Sequence, residues 1–277
     1  MKTFMILLSV CSLWAQKDTT SVWSNEVVST LNYTNSSFDN WVAGGDDAFT
    51  WELNVLASFG LDKKDMSWEN TIKLAYGETK VSGSVPDEAK KTSDEIKVES
   101  VLKYKMGIAI NPYLATTGQT QFTKSYSYKA LPKTAISDFM DPAYFTQSLG
   151  VGYAKGKQFK TRAGFSIKET ITSKFTSFAD DPKTTEIEET RVDYGMELVT
   201  DYNNKISKNI LLKSKLEIFS DFSGIKHVDV AWDNLFSAKV SEIISVSFNY
   251  KLVYDSNISA KRQTRRVLSA GLTYSIL

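Results

Sequence analysis

Apolar and polar residues alternate along most of the chain after about residue 25. Between residues 49 and 59, one apolar series would lie on one face of an extended strand, and a largely polar series on the other. The apolar series is Phe49, Trp51, Leu53, Val55, Ala57 and Phe59. The same alternation recurs near residues 68–76, 95–106, 159–171, 191–202, 228–240, 244–255 and 265–277. The pattern predicts an all-β protein.

Alternation alone would also fit a soluble β-sandwich, so three further features decide between the two folds. The predicted strands run for about ten to twelve residues, which suits a tilted membrane strand better than the usual five or six. Aromatic residues of the apolar series lie near both strand ends, as in the two aromatic belts of membrane barrels. Long polar connections alternate with short turns. Together these features favour a transmembrane antiparallel up-and-down β-barrel.

The strand count follows from the spacing of the alternating segments. We predict about twelve strands, an even number, as in single-chain bacterial barrels. The alternation is weakest in the first strand, near residues 27–33, and in the fifth, near residues 111–121. Barrels of ten or fourteen strands therefore remain alternatives at this point.

The first residues, MKTFMILLSVCSLWAQ, form a separate segment. A positive charge at Lys2, an apolar stretch from Phe4 to Leu13 and the small residue Ala15 predict a signal peptide over residues 1–15. An N-terminal strand and a lipidated Cys11 are the alternatives. The remaining residues, 16–277, are predicted to form a single barrel domain, exported through the periplasm to the outer membrane of a Gram-negative cell.

The overall charge is balanced, with 33 Lys and Arg residues against 32 Asp and Glu residues. This balance gives no reason to expect nucleic acid as a partner. A membrane barrel would instead contact outer-membrane lipid and lipopolysaccharide, and an envelope protein partner stays open. Because closure of a barrel removes its free edges, we expect a monomer.

The polar series of the strands is predicted to line the lumen. It carries charges of both signs, which favours mutual neutralisation over a selectivity field of one sign. The main predicted lumen residues are Glu52, Glu69, Lys73, Lys97, Glu99, Lys103, Arg162, Arg191, Asp193, Glu197, Lys215 and Glu217. The same series includes Glu95, Lys105, Lys213, Asp229, Asp233 and Lys251.

The segment NWVAGG before the strand at residues 49–59 is a candidate loop motif, formed by Asn40, Trp41, Gly44 and Gly45. Paired glycines permit the positive φ angles of a tight reversal. Trp41 would either anchor this turn by packing or fold inward into the mouth of the lumen.

Several runs resemble a family of Bacteroidota outer-membrane barrels of unknown function. They are FDNWVAGGDDAF, SWENTIKLAYGETK, KKTSDEIKVESVLKYK, QTQF and FMDPAYFT before GVGY. The most specific parts are the Asn-Trp-x-x-Gly-Gly motif, residues 70–77, and Phe139-x-x-Pro142-Ala143-Tyr144. The resemblance extends from about Ser29 to Leu277 and implies an outer-membrane barrel without established chemistry.

Candidate chemistry outside the lumen is sparse. The one histidine, His227, lies near Ser223 but within no nucleophile motif, and we interpret it as a loop residue. The acidic run at residues 180–189 lacks regular calcium-ligand spacing. We therefore expect no catalytic residue, metal or cofactor.

A basic run near the C-terminus is the remaining candidate for ligand binding. Arg262, Arg265 and Arg266 would either contact lipid A phosphates or form a solvated loop.

These observations favour a narrow or gated passage for small solutes. A structural or partner-binding envelope barrel is the alternative function, and a lipid-acting enzyme is a third one that the sequence supports less. We expect the protein not to be an enzyme.

Overall fold

In the computed structural model, the described residues are 22–37, 46–84, 86–181, 183–222, 228–255 and 261–275. The strands are β1 (Val22–Ser36), β2 (Ala48–Asp62), β3 (Met66–Val81), β4 (Lys90–Tyr104), β5 (Ile110–Thr120), β6 (Ser125–Ser127), β7 (Thr134–Ser137), β8 (Ala143–Lys155), β9 (Phe159–Ile171), β10 (Thr190–Ser207), β11 (Ile210–Asp221), β12 (Val228–Lys239), β13 (Ile244–Tyr254) and β14 (Gln263–Ser275).

Twelve of these strands form a closed antiparallel barrel, in the order β1-β14-β13-β12-β11-β10-β9-β8-β5-β4-β3-β2. The predicted fold and strand number are thereby confirmed. The two segments with blurred alternation are both barrel strands, β1 and β5. Strands β6 and β7 form a small separate hairpin, which the alternation did not predict.

Eight of the twelve barrel strands are longer than the ten to twelve residues that the sequence predicts, whereas β5, β11, β12 and β13 have 11 or 12 residues. Strands β1 to β4 have 15, 15, 16 and 15 residues, and β10 has 18. For the longer strands the prediction was too short because backbone pairing continues beyond the apolar alternation. In β4, for example, the strand begins at Lys90, whereas the alternating apolar series begins at Ile96.

The barrel has two unlike ends. Short turns at residues 63–65, 105–109, 156–158, 208–209 and 240–243 lie at one end, which we call the turn end. The longer connections, including residues 82–89, 121–142 and 172–189, lie at the other, which we call the loop end. The predicted rhythm of long and short connections is therefore present in the structure.

Two buried carboxylates fasten the long connections to the barrel. Asp94 accepts hydrogen bonds from the backbone N–H groups of Phe122 (2.6 Å) and Thr123 (3.0 Å). Asp141 accepts from those of Ser173 (2.9 Å) and Lys174 (2.8 Å). Because such charge-assisted bonds are strong, the loops are held in place at their bases.

The outward face of the barrel is apolar and exposed. Leu53 is 38% exposed, Phe165 67% and Leu268 75%. Aromatic side chains meet near both ends, with ring centroids 5.7 Å apart for Trp51 and Tyr76 at the loop end. An apolar belt around a closed barrel requires a hydrocarbon surrounding, and this arrangement excludes the soluble sandwich.

Helices contribute little to the described part of the chain. A short 3-10 helix at Thr176–Phe178 lies in the connection between β9 and β10. Among the described residues, no helix has the length and apolar character needed to cross a membrane.

The ring closes between β1 and β14 along a short seam. Residues 28–32 of β1 pair there with residues 271–275 of β14. Those are five residue pairs within the described part of the chain, whereas β1 and β2 share fifteen. The seam is therefore short compared with the neighbouring strand contact.

Candidate functional site

The lumen of the barrel is the candidate functional site. Alternation along each strand directs one series of side chains inward, and ion pairs between distant strands mark that series. The inward series contains each of the twelve main residues predicted from the sequence: Glu52, Glu69, Lys73, Lys97, Glu99, Lys103, Arg162, Arg191, Asp193, Glu197, Lys215 and Glu217.

Some of these residues pair across the lumen. Lys97 Nζ on β4 lies 2.6 Å from Glu217 Oε2 on β11. These strands are five steps apart around a ring of twelve, where six steps would be diametrically opposite. The side chains of nearly opposite walls therefore meet in the lumen.

A central cluster, formed by Glu99, Arg162, Glu197 and Lys215, joins four strands. Arg162 Nη1 lies 2.6 Å from Glu99 Oε1, and Arg162 Nε lies 3.1 Å from Glu197 Oε1. Lys215 forms an ion pair with the second oxygen of Glu99. The side chains of Arg162 and Glu99 are only 10% and 9% exposed, so each depends on the other to offset the loss of hydration.

Neutral residues complete the central cluster. The hydroxyl of Tyr113 donates a hydrogen bond to Glu197 at 3.2 Å, and the hydroxyl of Ser148 donates to the same oxygen at 2.7 Å. Tyr113 is only 2% exposed, and its ring centroid lies 5.7 Å from the guanidinium carbon of Arg162. The Glu197 carboxylate is thereby held in one position.

A second cluster lies beside the first and again joins distant strands. Lys73 Nζ lies 2.9 Å from Asp233 Oδ2 and 3.1 Å from Glu95 Oε2. Lys251 Nζ lies 3.3 Å from the other oxygen of Glu95. Asn249 donates a hydrogen bond of 2.7 Å to Asp233. Positive and negative groups thus alternate across this part of the lumen.

Further ion pairs lie toward both ends of the barrel. Near the loop end, Lys168 Nζ lies 2.6 Å from Asp229 and 3.3 Å from Asp255. Near the turn end, Lys160 on β9 pairs with Glu69 on β3, four steps around the ring. Pairs of this kind therefore occur at several levels of the lumen.

Lys103 is an exception among the predicted lumen residues. It has no ion-pair partner among the residues that the structure describes. Its place on β4, one residue before the end of the strand, puts it near the turn end. Lys103 therefore contributes an inward positive charge that is not neutralised by a direct contact.

The three arginines predicted to contact lipid A do not form a single cluster. Arg265 faces inward and pairs with Glu52 on β2. Arg266 faces outward, with its guanidinium carbon 5.8 Å from the ring centroid of Tyr250. Arg262 is exposed and precedes β14. The expected cluster divides because consecutive residues of a strand face opposite sides of the sheet.

The acidic run in the connection between β9 and β10 is bonded mainly to itself. Glu188 accepts from the backbone N–H of Asp181 at 3.0 Å, and its own N–H donates to Asp180 at 3.2 Å. The Thr184 hydroxyl, 2.5 Å from the Glu188 carboxylate, lowers the pKa of Glu188. In the described part of the chain, no group of three His, Cys, Asp or Glu residues is placed to hold a metal ion.

Some predicted features lie outside the described residues. These are the signal peptide with Cys11, the motif formed by Asn40, Trp41, Gly44 and Gly45, and the connection that contains Ser223 and His227. They stay predictions.

Sequence reasoning missed two residues of the lumen. Tyr113 and Ser148 contact charged groups there, but each is a single residue in a segment with weak or ordinary alternation. The inward position of Tyr113 was detectable only from the pairing of β5 with β4 and β8. No local signal identifies such contacts.

Comparison with protein families found two partial matches. Residues 33–126 match a family described as "Protein of unknown function (DUF3078)", and residues 141–276 match one described as "Protein of unknown function, DUF481". Both agree with a resemblance to an uncharacterised family, whereas the Bacteroidota origin and the Asn-Trp-x-x-Gly-Gly motif stay predictions. A search of the curated proteins found no match.

Solved structures similar to this chain include several outer-membrane barrels. The translocator domain of autotransporter NalP from Neisseria meningitidis is 10% identical, with 94% of this chain and 89% of that chain covered and a TM-score of 0.39. An outer membrane channel from Pseudomonas putida F1 is 12% identical, with 92% and 94% covered and a TM-score of 0.38. The toluene transporter TbuX from Ralstonia pickettii is 10% identical, with 94% and 78% covered and a TM-score of 0.32.

Proposed function

We propose that this protein is an outer-membrane β-barrel whose lumen is a narrow passage for small solutes, closed at rest by ion pairs. Its longer connections would face the outside of the cell and its short turns the periplasm, as in other barrels of this kind. The observation that carries the proposal is the contact between Lys97 and Glu217, which joins nearly opposite walls at 2.6 Å.

With this number of strands, the side chains that line the lumen decide whether it is open or closed. A barrel of eight strands is filled by its own side chains, whereas one of sixteen encloses an aqueous channel. Twelve strands lie between these limits, so the lumen is open or closed according to the side chains that occupy it. Here the long side chain of Lys73 also meets Asp233 from a strand five steps away. These contacts support a lumen closed at rest.

The same contacts support a passage that can open. The side chains of Lys97 and Glu217 are 14% and 27% exposed, so the pair is partly hydrated and weaker than a dry one. A solute that carries a charge or a strong hydrogen-bonding group can compete for either partner. Because the lining carries both signs, we expect little selectivity between anions and cations.

The test is conductance of the purified protein in planar bilayers. The unmodified protein should show small or no conductance, and Lys97→Ala combined with Glu217→Ala should raise it by removing a contact across the lumen. The matched control is Lys157→Ala combined with Glu242→Ala, both in short turns. A large and steady conductance of the unmodified protein would contradict a closed lumen and favour an open general porin.

A charge exchange distinguishes the effect of the ion pair on conductance from the effect of side-chain volume. Lys97→Glu alone places two carboxylates together and should raise conductance by repulsion. Adding Glu217→Lys restores opposite charges and should return conductance toward the unmodified level. If the double exchange conducts as well as the single one, the pair is not what closes the lumen.

A further inference from the structure

The seam between β1 and β14 closes over only part of its length. Pairing ends at Asn32 and Gly271, and both strands continue beyond that point toward the loop end. Residues 33–36 of β1 and 267–270 of β14 would extend the same register. They pair on their other sides with β2 and β13, but not with each other. We call this unpaired stretch the seam gap.

The outer side of the seam gap is apolar. Leu268 on β14 is 75% exposed, whereas Phe248, its partner on β13, is 38% exposed. On the β1 side of the gap, Tyr33 is 55% exposed. Large apolar side chains therefore flank the gap where it meets the surroundings of the barrel.

The inner side of the seam gap is charged. Arg265 on β14 faces the lumen and forms an ion pair with Glu52 on β2. Because β2 is the neighbour of β1, this pair connects the loop-end half of β14 to the sheet on the other side of the gap. Asn54 Nδ2 donates a hydrogen bond of 3.0 Å to Glu52 and helps to position the carboxylate.

Two observations indicate that the two sides of the gap can move apart. The side chain of Arg265 is 34% exposed, so its ion pair with Glu52 is partly hydrated and can exchange partners. At the last residue pair of the seam, Asn32 Oδ1 is buried and has no donor among the residues that the structure describes. The end of the paired seam is therefore weakly held.

An unpaired strand edge has a particular meaning in a membrane wall. Backbone groups without partners are costly in hydrocarbon, and at membrane depth they are tolerated where they line a polar or water-filled passage. The edges of the seam gap satisfy this condition if the gap is continuous with the lumen. The gap then joins a charged interior to an apolar outer surface.

We propose that the seam gap is a lateral exit from the lumen, through which a single-chain amphiphile with an anionic head passes into the surrounding lipid. The head would replace Glu52 as the partner of Arg265, because a guanidinium group binds carboxylate and phosphate in similar ways. The hydrocarbon chain would pass between Leu268 and Tyr33. The inference rests on the passage proposed above and names the class of its solute.

The width of the lumen explains why one chain is specified. Lys97 and Glu217 meet from nearly opposite walls, so the passage is narrow and suits one hydrocarbon chain better than two. An anionic head can also compete with Glu217 for Lys97, which would open the lumen for the chain that follows.

The register of the seam provides matched pairs of positions for the test. Asn35 and Leu268 lie opposite each other across the gap, and Leu31 pairs with Leu272 in the closed part. By alternation all four face outward. The one cysteine of the sequence, Cys11, lies in the predicted signal peptide, so the exported variants should contain introduced cysteines only.

The probe is lysophosphatidylglycerol with a fluorophore on its acyl chain, present in both leaflets of proteoliposomes. External albumin extracts the probe from the outer leaflet, and the protein should accelerate extraction of the inner fraction. A bifunctional methanethiosulfonate joins the two cysteines of a variant, and a reductant releases them. Joining the cysteines of Asn35→Cys with Leu268→Cys should abolish the acceleration, and reduction should restore it. Joining those of Leu31→Cys with Leu272→Cys should change nothing.

Two substitutions test the role of the ion pair. Glu52→Gln releases Arg265 and should accelerate extraction, whereas the control Glu69→Gln, which removes an inward carboxylate at the turn end, should not. Arg265→Gln should abolish the preference for lysophosphatidylglycerol over zwitterionic lysophosphatidylcholine. Equal effects of Glu52→Gln and Glu69→Gln, or an unchanged preference in Arg265→Gln, would contradict recognition of the head at this pair.

The outcomes distinguish this proposal from the one on which it rests. The lateral exit is overturned if joining across the gap leaves extraction unchanged, or if both joined pairs slow it equally. It is also overturned if the protein does not accelerate extraction although Lys97→Ala with Glu217→Ala raises conductance. If that double substitution raises neither conductance nor extraction, the proposed passage itself fails.

Discussion

Arg265 and Arg266 are consecutive residues whose guanidinium groups lie on opposite sides of the barrel wall. Arg265 pairs with Glu52 inside the lumen, and Arg266 lies beside the Tyr250 ring outside. Of these two charges, only Arg266 lies on the outer face of the barrel.

The first prediction concerns retained lipopolysaccharide. Arg262→Gln combined with Arg266→Gln should lower the amount that copurifies with the protein, because both arginines are exposed and suited to phosphate contact. Arg265→Gln is the control and should leave that amount unchanged. Quantification by mass spectrometry checks both results. Equal loss in the control would indicate a nonspecific charge effect.

The second prediction concerns Leu53 and Asn54, consecutive residues of β2. Leu53 faces outward, whereas Asn54 donates a hydrogen bond of 3.0 Å to Glu52 inside. Leu53→Arg should destabilise the barrel by roughly 2–4 kcal/mol because a charge enters the lipid-facing wall, and Asn54→Arg should have a mild effect. Reversible unfolding in lipid vesicles measures both. Equal losses of stability would argue against a membrane location for β2.

The third prediction concerns the central cluster. Arg162→Met should destabilise the protein by about 3–5 kcal/mol because it leaves Glu99 and Glu197 without their shared partner. Lys103→Met is a matched control, since Lys103 also faces inward but has no ion-pair partner in the described part of the chain. Denaturant unfolding in vesicles compares the two. A loss in the control as large as that of Arg162→Met would show that general charge removal, rather than the cluster, matters.

The fourth prediction concerns the β6–β7 hairpin. Lys133 Nζ lies 2.6 Å from Glu88 Oε2 and 4.3 Å from the Tyr126 ring centroid. The hydrogen bond from Lys133 lowers the pKa of Glu88 below its ordinary value of 4.5, and the same bond raises the pKa of Lys133 above 10.5. The contact is therefore fully formed between about pH 4.5 and 10.5, and is lost as the pH falls through the lowered pKa of Glu88 or rises through the raised pKa of Lys133.

The measurement for this fourth prediction is fluorine NMR of fluorotyrosine at position 126 during an acid titration. The resonance should shift as the pH falls below 4.5, because release of Lys133 frees the ring. In Glu88→Gln the resonance should already lie near its low-pH position at neutral pH. Superimposable titrations of the two proteins would contradict a role for this contact.

Alternation along the chain was enough to predict the barrel and the inward side of most strands. Lys97 and Glu217 could each be assigned to the lumen, but their pairing depends on the order of twelve strands and on how close opposite walls come. No local pattern contains that information. Polar residues in the outward series are a signal of a different kind, and Ser214 and Asn234 could have been recognised as interruptions of an apolar face.

The short seam between β1 and β14 has a consequence for how the barrel forms. The other neighbours around the ring are consecutive strands or, for β5 and β8, are separated only by the β6–β7 hairpin. The chain can therefore build the open sheet from local hairpins, at a small entropic cost for each loop. Joining residues 28–32 to residues 271–275 instead brings together segments that are distant in sequence. Until that step, both terminal strands expose unpaired backbone groups that hydrocarbon cannot satisfy, so the kinetic barrier to membrane insertion should lie at closure of the ring.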